Sequence, residues 1–380
     1  MVATGALAPK RRLPSLPRVP DSFRIRALHI AALDIPLHVP FGISGGAQPA
    51  ANNVLVTLEL DDGTLGYGEA APLPPYNGET QADALATLRA ARGWLEGHGA
   101  AEWRVLAAEF RTRGGAACGS AQCAFEMALL DALTRRDGVP LWKFFGGKGT
   151  ELETDMTVTT GSAIEAAEAA RDIRRRGIRV IKVKIGGQGG PAHDLARIAA
   201  IHDVAPDSPL VLDGNAGVSH ATANELIRGL KARRIVPALL EQWCAKDDLA
   251  GMRTLGTESG WLVAADESVT RAADARRVAS ARAAGVINIK LMKAGIAEAL
   301  DIASVAHDAG IRLMIGGNVE SILAMTASAC FAAGQGGFDF ADLDTPLFLA
   351  ENPFEGGYLL EGGKISVAHI AAGHGVRPKG

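Results

Sequence analysis

Residues 180–187 read V-I-K-V-K-I-G-G. Lysine alternates here with β-branched aliphatics, the pattern of a strand. Lys182 and Lys184 are two apart and share one face, while Ile181, Val183 and Ile185 take the other. A strand this apolar is buried, and buried ammonium groups are costly unless something compensates them. The pattern around the stretch shows what does.

From Glu153 onward short apolar runs alternate with amphipathic helical stretches. The runs are R-V-I-K-V-K-I, P-L-V-L-D, A-L-L-E-Q, W-L-V-A-A-D-E, V-I-N-I-K-L-M-K and R-L-M-I-G-G. Stretches such as A-I-E-A-A-E-A-A-R-D-I-R-R-R-G separate them. Each unit takes roughly 25 to 30 residues, the size of a strand plus a crossover helix. Six or more units in about 200 residues predict a (β/α) barrel. An open doubly wound sheet would want a glycine-rich phosphate turn, and K-I-G-G-Q-G-G matches that fingerprint poorly.

The region before this beat is different. N-N-V-L-V-T-L-E-L-D-D-G-T-L-G-Y-G-E-A reads as a hairpin around Asp-Asp-Gly, followed by helical patterns such as Q-A-D-A-L-A-T-L-R-A-A-R-G-W-L. Strands and then helices predict an α+β domain. The first twenty residues, rich in proline and arginine, lack the apolar segment of a signal peptide and are expected to be a disordered tail.

At 380 residues the chain can bury a large core. A net charge of −3 gives no reason to expect nucleic acid or an anionic membrane as partner. No apolar run approaches membrane-spanning length. Cys118, Cys123, Cys244 and Cys330 fit neither a disulfide framework nor a zinc site, which points to a reducing cytoplasm.

The informative feature is where charge falls. The runs end in Lys182 and Lys184, Asp213, Glu241, Asp266 with Glu267, and Lys290, and later come Glu320 and the pair Asp342 and Asp344. One strand-end carboxylate is usually a helix cap or a solvated rim residue. A whole series is harder to obtain that way, because caps favour Ser, Thr and Asn as much as Asp, and lysine is no cap at all. In a barrel the C-terminal strand ends form one rim, where active sites are built.

Asp213, Glu241 and Asp266 end consecutive units and would repel one another unless a cation sat among them. An all-oxygen set suits Mg²⁺ or Mn²⁺ better than zinc. Lys184 and Lys290 flank the carboxylates on opposite sides. A carboxylate substrate held by a metal has acidified α-hydrogens, and a lysine whose pKa is lowered by neighbouring cations can remove one. With a base on one face and an acid on the other, the proton returns inverted. That is racemase or epimerase chemistry.

K-V-K at 182–184, D-G-N at 213–215, Glu241, D-E at 266–267 and K-L-M-K-A-G at 290–295 resemble the muconate lactonizing enzyme group of the enolase superfamily. The resemblance covers nearly the whole chain after the tail. It implies an α/β fold: a (β/α)7β TIM-like barrel over 148–354 and an α+β N-terminal capping domain over 21–147, completed by 355–380. D-L-D-T-P-L at 342–347 is similar to the signature of the dipeptide epimerases. By that resemblance Lys184 and Lys290 are the acid/base pair and Lys182 is an electrostatic helper. Asp213, Glu241 and Asp266 hold one Mg²⁺ (Mn²⁺ as substitute), with Asn215 and Glu267 orienting ligand or lysine from behind. Asp342 and Asp344 hold the α-ammonium of the dipeptide, and Asn318, Glu320, Thr157 and Tyr76 complete the substrate wall. A homo-oligomer is expected by analogy with the family alone.

L-Ala-D/L-Glu is the default substrate. Relatives acting on it often carry a basic residue in the early capping loop, which here reads P-F-G-I-S-G-G-A-Q-P-A, with no Arg or Lys. A hydrophobic or cationic dipeptide therefore stays open, as does a cycloisomerase or o-succinylbenzoate synthase-like lyase on the same scaffold. The lyase substrates carry no ammonium for Asp342 and Asp344 to bind.

Overall fold

A computed structural model describes residues 23–43 and 46–380; the predicted tail lies outside the described residues. The capping domain opens with an antiparallel sheet of β1 (Ile25–Ile43), β2 (Gly46–Leu60) and β3 (Leu65–Ala70). The expected hairpin joins β2 to β3, and its turn is closed by the Thr64 amide donating to Asp62 Oδ1 at 2.9 Å. Then come α1 (Pro74–Asn77), α2 (Gln81–Leu95), α3 (Trp103–Thr112), α4 (Gly119–Arg136) and α5 (Leu141–Phe144). Helix α4 is buried along almost its whole length. It lies directly on β3 because β3 offers no side chain there: a Cβ at Gly66 or Gly68 would meet the α4 backbone at 2.1 or 2.0 Å.

A short strand β4 (Glu151–Glu153) leads into the barrel. Its strands are β5 (Met156–Val158), β6 (Ile181–Lys184), β7 (Leu210–Asp213), β8 (Leu239–Glu241), β9 (Val263–Ala265), β10 (Val286–Lys290), β11 (Arg312–Gly316) and β12 (Phe338–Ala341). They pair in parallel in chain order. Between them run α6 (Ala163–Arg175), α7 (Gly190–Val204), α8 (His220–Ala232), α9 (Leu249–Ser259), α10 (Ala272–Ala281), α11 (Ile296–Asp308) and α12 (Ile322–Gln335). The (β/α)7β order is the one expected. At the seam between β12 and β5 a Thr154–Ala341 bridge closes the ring, and Thr154 Oγ1 accepts the Leu343 amide at 2.9 Å.

Inside the barrel, Val211, Leu239, Ala264, Val286 and Met314 pack into an apolar floor. The C-terminal strands β13 (Phe354–Gly356) and β16 (Val376–Pro378) pair with each other, and β14 (Leu359–Glu361) and β15 (Lys364–Ser366) extend β4. The last segment returns to the capping domain, where Arg135 Nη2 donates to Val376 O at 2.6 Å.

Candidate active site

On β6 the two faces separate as the alternation predicts: Ile181 and Val183 enter the core behind the barrel, and both lysines point inward. Lys182, the deeper, is fully buried and meets three carboxylates: Asp342 Oδ2 at 2.6 Å, Glu241 Oε2 at 2.8 Å and Asp213 Oδ2 at 3.0 Å. Lys184, one layer up, meets Asp213 Oδ2 at 2.6 Å. The end of β6 is fixed from behind by Arg197 of α7, whose guanidinium donates to the carbonyls of Lys184 (2.7 Å) and Thr159 (2.5 Å).

Asp213 and Glu241 end β7 and β8, and Asp266 stands one residue beyond β9. All three are fully buried side by side. The backbone helps to aim them. Asn215 and Ala216 turn through φ of 42° and 59°, bringing the Asn215 amide onto Asp213 Oδ1 at 3.0 Å. The buried Gln242 side chain accepts the Asp266 amide at 2.8 Å. Asn215 Nδ2 reaches Glu267 Oε1 at 3.4 Å.

On the far side, Lys290 ends β10 with Nζ 2.8 Å from Asp266 Oδ2, and Lys293 donates to Asp266 Oδ1 at 3.0 Å. Strand order puts β6 and β10 four places apart in an eight-stranded ring, so Lys184 and Lys290 face each other across its mouth. Tyr76, carried by α1 of the cap, donates its hydroxyl to Asp266 Oδ1 and lays its ring 4.4 Å from the Lys290 ammonium.

Among the described residues this chamber holds seven buried carboxyl groups, those of Asp155, Asp213, Glu241, Asp266, Glu320, Asp342 and Asp344. Four buried lysines, Lys182, Lys184, Lys290 and Lys293, oppose them. The imbalance shows in their acidities. Burial and Asp213 push Glu241 up to about 6. Asp266, despite its burial, is held down to about 2 by Lys290 and Lys293. Burial lowers Lys182 and Lys290, but the carboxylates around them outweigh it and leave both above the ordinary lysine value. At Lys290 the expected depression of a base by neighbouring cations is therefore reversed, because burial and Lys182 are outweighed by Asp266, Glu267 and Glu241.

A divalent cation fits this arrangement. Glu241 Oε2 and Asp266 Oδ2 are buried, and each faces a lysine ammonium at 2.8 Å. Their spare lone pairs, with those of Asp213, make an all-oxygen donor set of the kind Mg²⁺ takes.

The remaining sequence candidates fall differently. Asp342 and Asp344 lie just beyond β12 in the following loop, not on a strand face. Asp344 Oδ2 accepts the Thr157 amide at 2.7 Å. The Asn318 amide side chain is turned to Ala71 O of the cap at 2.9 Å, and Glu320 Oε1 accepts its own loop's Asn318 amide at 2.7 Å. Glu320 Oε2 and Asn318 Oδ1 are left without partners. Sequence reading passed over Asn288, which donates to Glu241 Oε1 at 2.8 Å, although its alternation with Lys290 already placed it on the inner face. It also passed over Lys293, although the run V-I-N-I-K-L-M-K ends on it, and Arg197 and Asp155, which carry no strand-end signal.

Above the chamber, β1 and the loops after β3, β11 and β12 form an apolar roof that includes Ile35, Phe41, Leu73, Val319 and Leu349, with Leu37, Tyr76 and Phe348 against it. The Phe41 and Phe348 rings meet edge to face at 5.5 Å. No lysine or arginine occurs in residues 33–51.

Residues 25–146 match the family model of the mandelate racemase / muconate lactonizing enzyme N-terminal domain, and residues 165–380 match the enolase C-terminal domain-like model. An aromatic dipeptide epimerase of Herpetosiphon aurantiacus is 50% identical over 352 residues, 93% of this chain and 98% of that one. A hydrophobic dipeptide epimerase of Citrifermentans bemidjiense is 39% identical over 367 residues, covering 94% and 99%. The dipeptide epimerase of Enterococcus faecalis V583, solved with Mg and the dipeptide L-Leu-L-Tyr, superposes with a TM-score of 0.86 at 30% identity, covering 93% of this chain and 99% of that one.

Proposed function

The chain belongs to the mandelate racemase / muconate lactonizing enzyme family of the enolase superfamily, and from that premise we propose that it is a Mg²⁺-dependent dipeptide epimerase inverting the α-carbon of the C-terminal residue. The observation that carries this reading is the placement of Lys184 and Lys290 on opposite sides of one carboxylate cluster.

In the neutral state one lysine takes the α-proton from one face of the substrate; the other, as ammonium, delivers a proton to the opposite face. One C–H bond breaks and one forms, with no change of oxidation state. Asp213 and Asp266 hold the two amines at the ends of β6 and β10, which orients them for that exchange. Held by Asp213, Glu241 and Asp266, Mg²⁺ would supply the positive charge that offsets the carboxylates and stabilises the negative charge growing on the substrate carboxylate. Lys182 adds a fixed positive charge from below. Asp342 and Asp344 offer the negative site for the free amine, and the unpartnered Asp344 Oδ1 suits an N–H donor.

The roof supports apolar dipeptides as substrates: it is aliphatic and aromatic, and a glutamate side chain would find no cation in residues 33–51. The names of the Herpetosiphon and Citrifermentans relatives agree. The same reading divides the chain into a cap of residues 21–147 with 355–380 and a barrel of 148–354, and places it in a reducing cytoplasm, supported by four buried, unpaired cysteines. No helix among the described residues is long and apolar enough to cross a membrane.

The test is a dipeptide library in D₂O. With Mg²⁺, dipeptides bearing apolar side chains should take up α-deuterium and invert; EDTA should stop this, and Mg²⁺ or Mn²⁺ should restore it. Phe41→Ala should cost aromatic substrates about tenfold in kcat/KM. A library without any α-exchange would overturn the reading.

A further inference from the structure

Directly before β5, the side chain of Asp155 enters the barrel beside Asp342 and Asp344. The three carboxylates each offer an oxygen, all within 4.8 Å of one another, and the residues are 2%, 7% and 1% exposed. Main-chain bonds hold the group rigid across the barrel seam: Asp155 N donates to Ala341 O at 2.9 Å, and Thr157 N donates to Asp344 Oδ2. Among the described residues the direct ion pair to the group comes from Lys182, whose Nζ donates to Asp342 Oδ2 at 2.6 Å. Asp155 Oδ1 and Asp344 Oδ1 are buried and make no hydrogen bond at all. Leaving such atoms unmade is expensive, so their partner comes from outside the chain.

We propose that Asp155 is a third wall of the substrate's ammonium site and determines its specificity for a primary amine. The inference rests on the dipeptide-epimerase reading and deepens it. A primary ammonium carries three N–H donors, and the cluster offers one oxygen from each of three carboxylates within 4.8 Å of one another. Two carboxylates alone would accept a primary or a secondary amine about equally. The third makes each N–H count. Asp155 also reaches a cleft of about 690 Å³ beneath the seam, together with Glu153, Val180, Phe340 and Lys364, so the competing account is a carboxylate satisfied by water from below.

The full-length protein with Mg²⁺ distinguishes them. Kinetics would be run on three versions of one preferred dipeptide: free amine, N-methyl and N-acetyl. In the wild type the free amine should lead the N-methyl compound by about tenfold in kcat/KM, chiefly through KM, and lead the N-acetyl compound by more. In Asp155→Asn the advantage over the N-methyl compound should collapse, chiefly through a higher KM for the free amine. Burial and Asp342 raise the Asp155 carboxyl well above its ordinary value; Asp155→Asn keeps its shape and cannot repel its neighbours, so thermal unfolding should be no lower than in wild type. Should the variant fail to fold, the wild type still decides by competition against the free-amine dipeptide. Methylammonium should inhibit more strongly than dimethylammonium, and dimethylammonium more strongly than trimethylammonium. Equal use of free-amine and N-methyl dipeptides by the wild type, or unchanged discrimination in Asp155→Asn, would overturn the assignment to Asp155. Absence of α-exchange with every dipeptide would instead overturn the epimerase reading beneath it.

Discussion

Tyr76 of the capping domain and Asp266 of the barrel rim are joined by a hydrogen bond of 3.2 Å from hydroxyl to Oδ1. The cap thus touches the candidate metal cluster itself, and does so beside Lys290, whose ammonium the same ring covers.

Tyr76→Phe removes the bond and keeps the ring. We expect Mg²⁺ affinity and kcat/KM to fall, each by about tenfold, since groups that orient metal ligands typically matter on that scale. Tyr76→Ala should lose more, because the face over Lys290 goes too. Magnesium titration by calorimetry reads the first quantity and epimer kinetics the second. Unchanged values in Tyr76→Phe would mean the contact is only packing.

Lys184→Ala and Lys290→Ala should each lower epimerisation by about 10²- to 10⁴-fold. The informative readout is exchange: each variant should retain deuterium uptake from one epimer, and the two variants from opposite epimers. NMR of each pure epimer in D₂O decides this. Full activity in both variants would remove the two-base mechanism.

Glu69 on β3 is fully buried where cap meets barrel. It accepts the amides of Ser321 and Ala324 at 3.0 and 3.2 Å at the start of α12, and the Asn53 side chain at 2.6 Å. Glu69→Ala leaves those donors buried and unmade, so it should cost about 2–4 kcal/mol in urea unfolding. A loss within 0.5 kcal/mol, the range of surface substitutions, would show that water replaces the carboxylate there.

Glu126 of α4 is buried between Gln122 and the Ala297 amide, and burial pushes its carboxyl up from 4.5 to about 7. A folded-state value above the unfolded one favours the protonated form in the native state. The associated stability is therefore complete below about pH 4.5 and is lost as pH rises through about 7. Between those limits Glu126 should cost up to about 3 kcal/mol, and Glu126→Gln should flatten that part of the stability profile. Equal slopes for variant and wild type between pH 5 and about 7 would contradict the assignment.

The barrel was legible because periodicity reports the face of an element directly. The alternation at 180–187 told inner from outer side chains on β6, and the repeated strand-helix beat predicted the order that β5 to β12 take. The rim candidates followed from the same rule, and the structure brings Lys182, Lys184, Asp213, Glu241, Asp266 and Lys290 into one chamber. Asp155 was missed because it precedes its strand, and Lys293 because its run reads on three residues past the end of β10. Arg197 was missed because a helix residue donating to strand-end carbonyls leaves no spacing to read.

By itself the sequence determined which residues face inward and which chemistry they could perform, since both follow from residue type and from a period of two along each strand. Only the tertiary structure decided which lysine meets which carboxylate, that Tyr76 reaches Asp266 from 190 residues away, and that Asp155 joins Asp342 and Asp344. Those distances depend on strand stagger, closure of the seam and docking of the cap. Each is the sum of many contacts between distant parts of the chain, and no local pattern encodes such a sum.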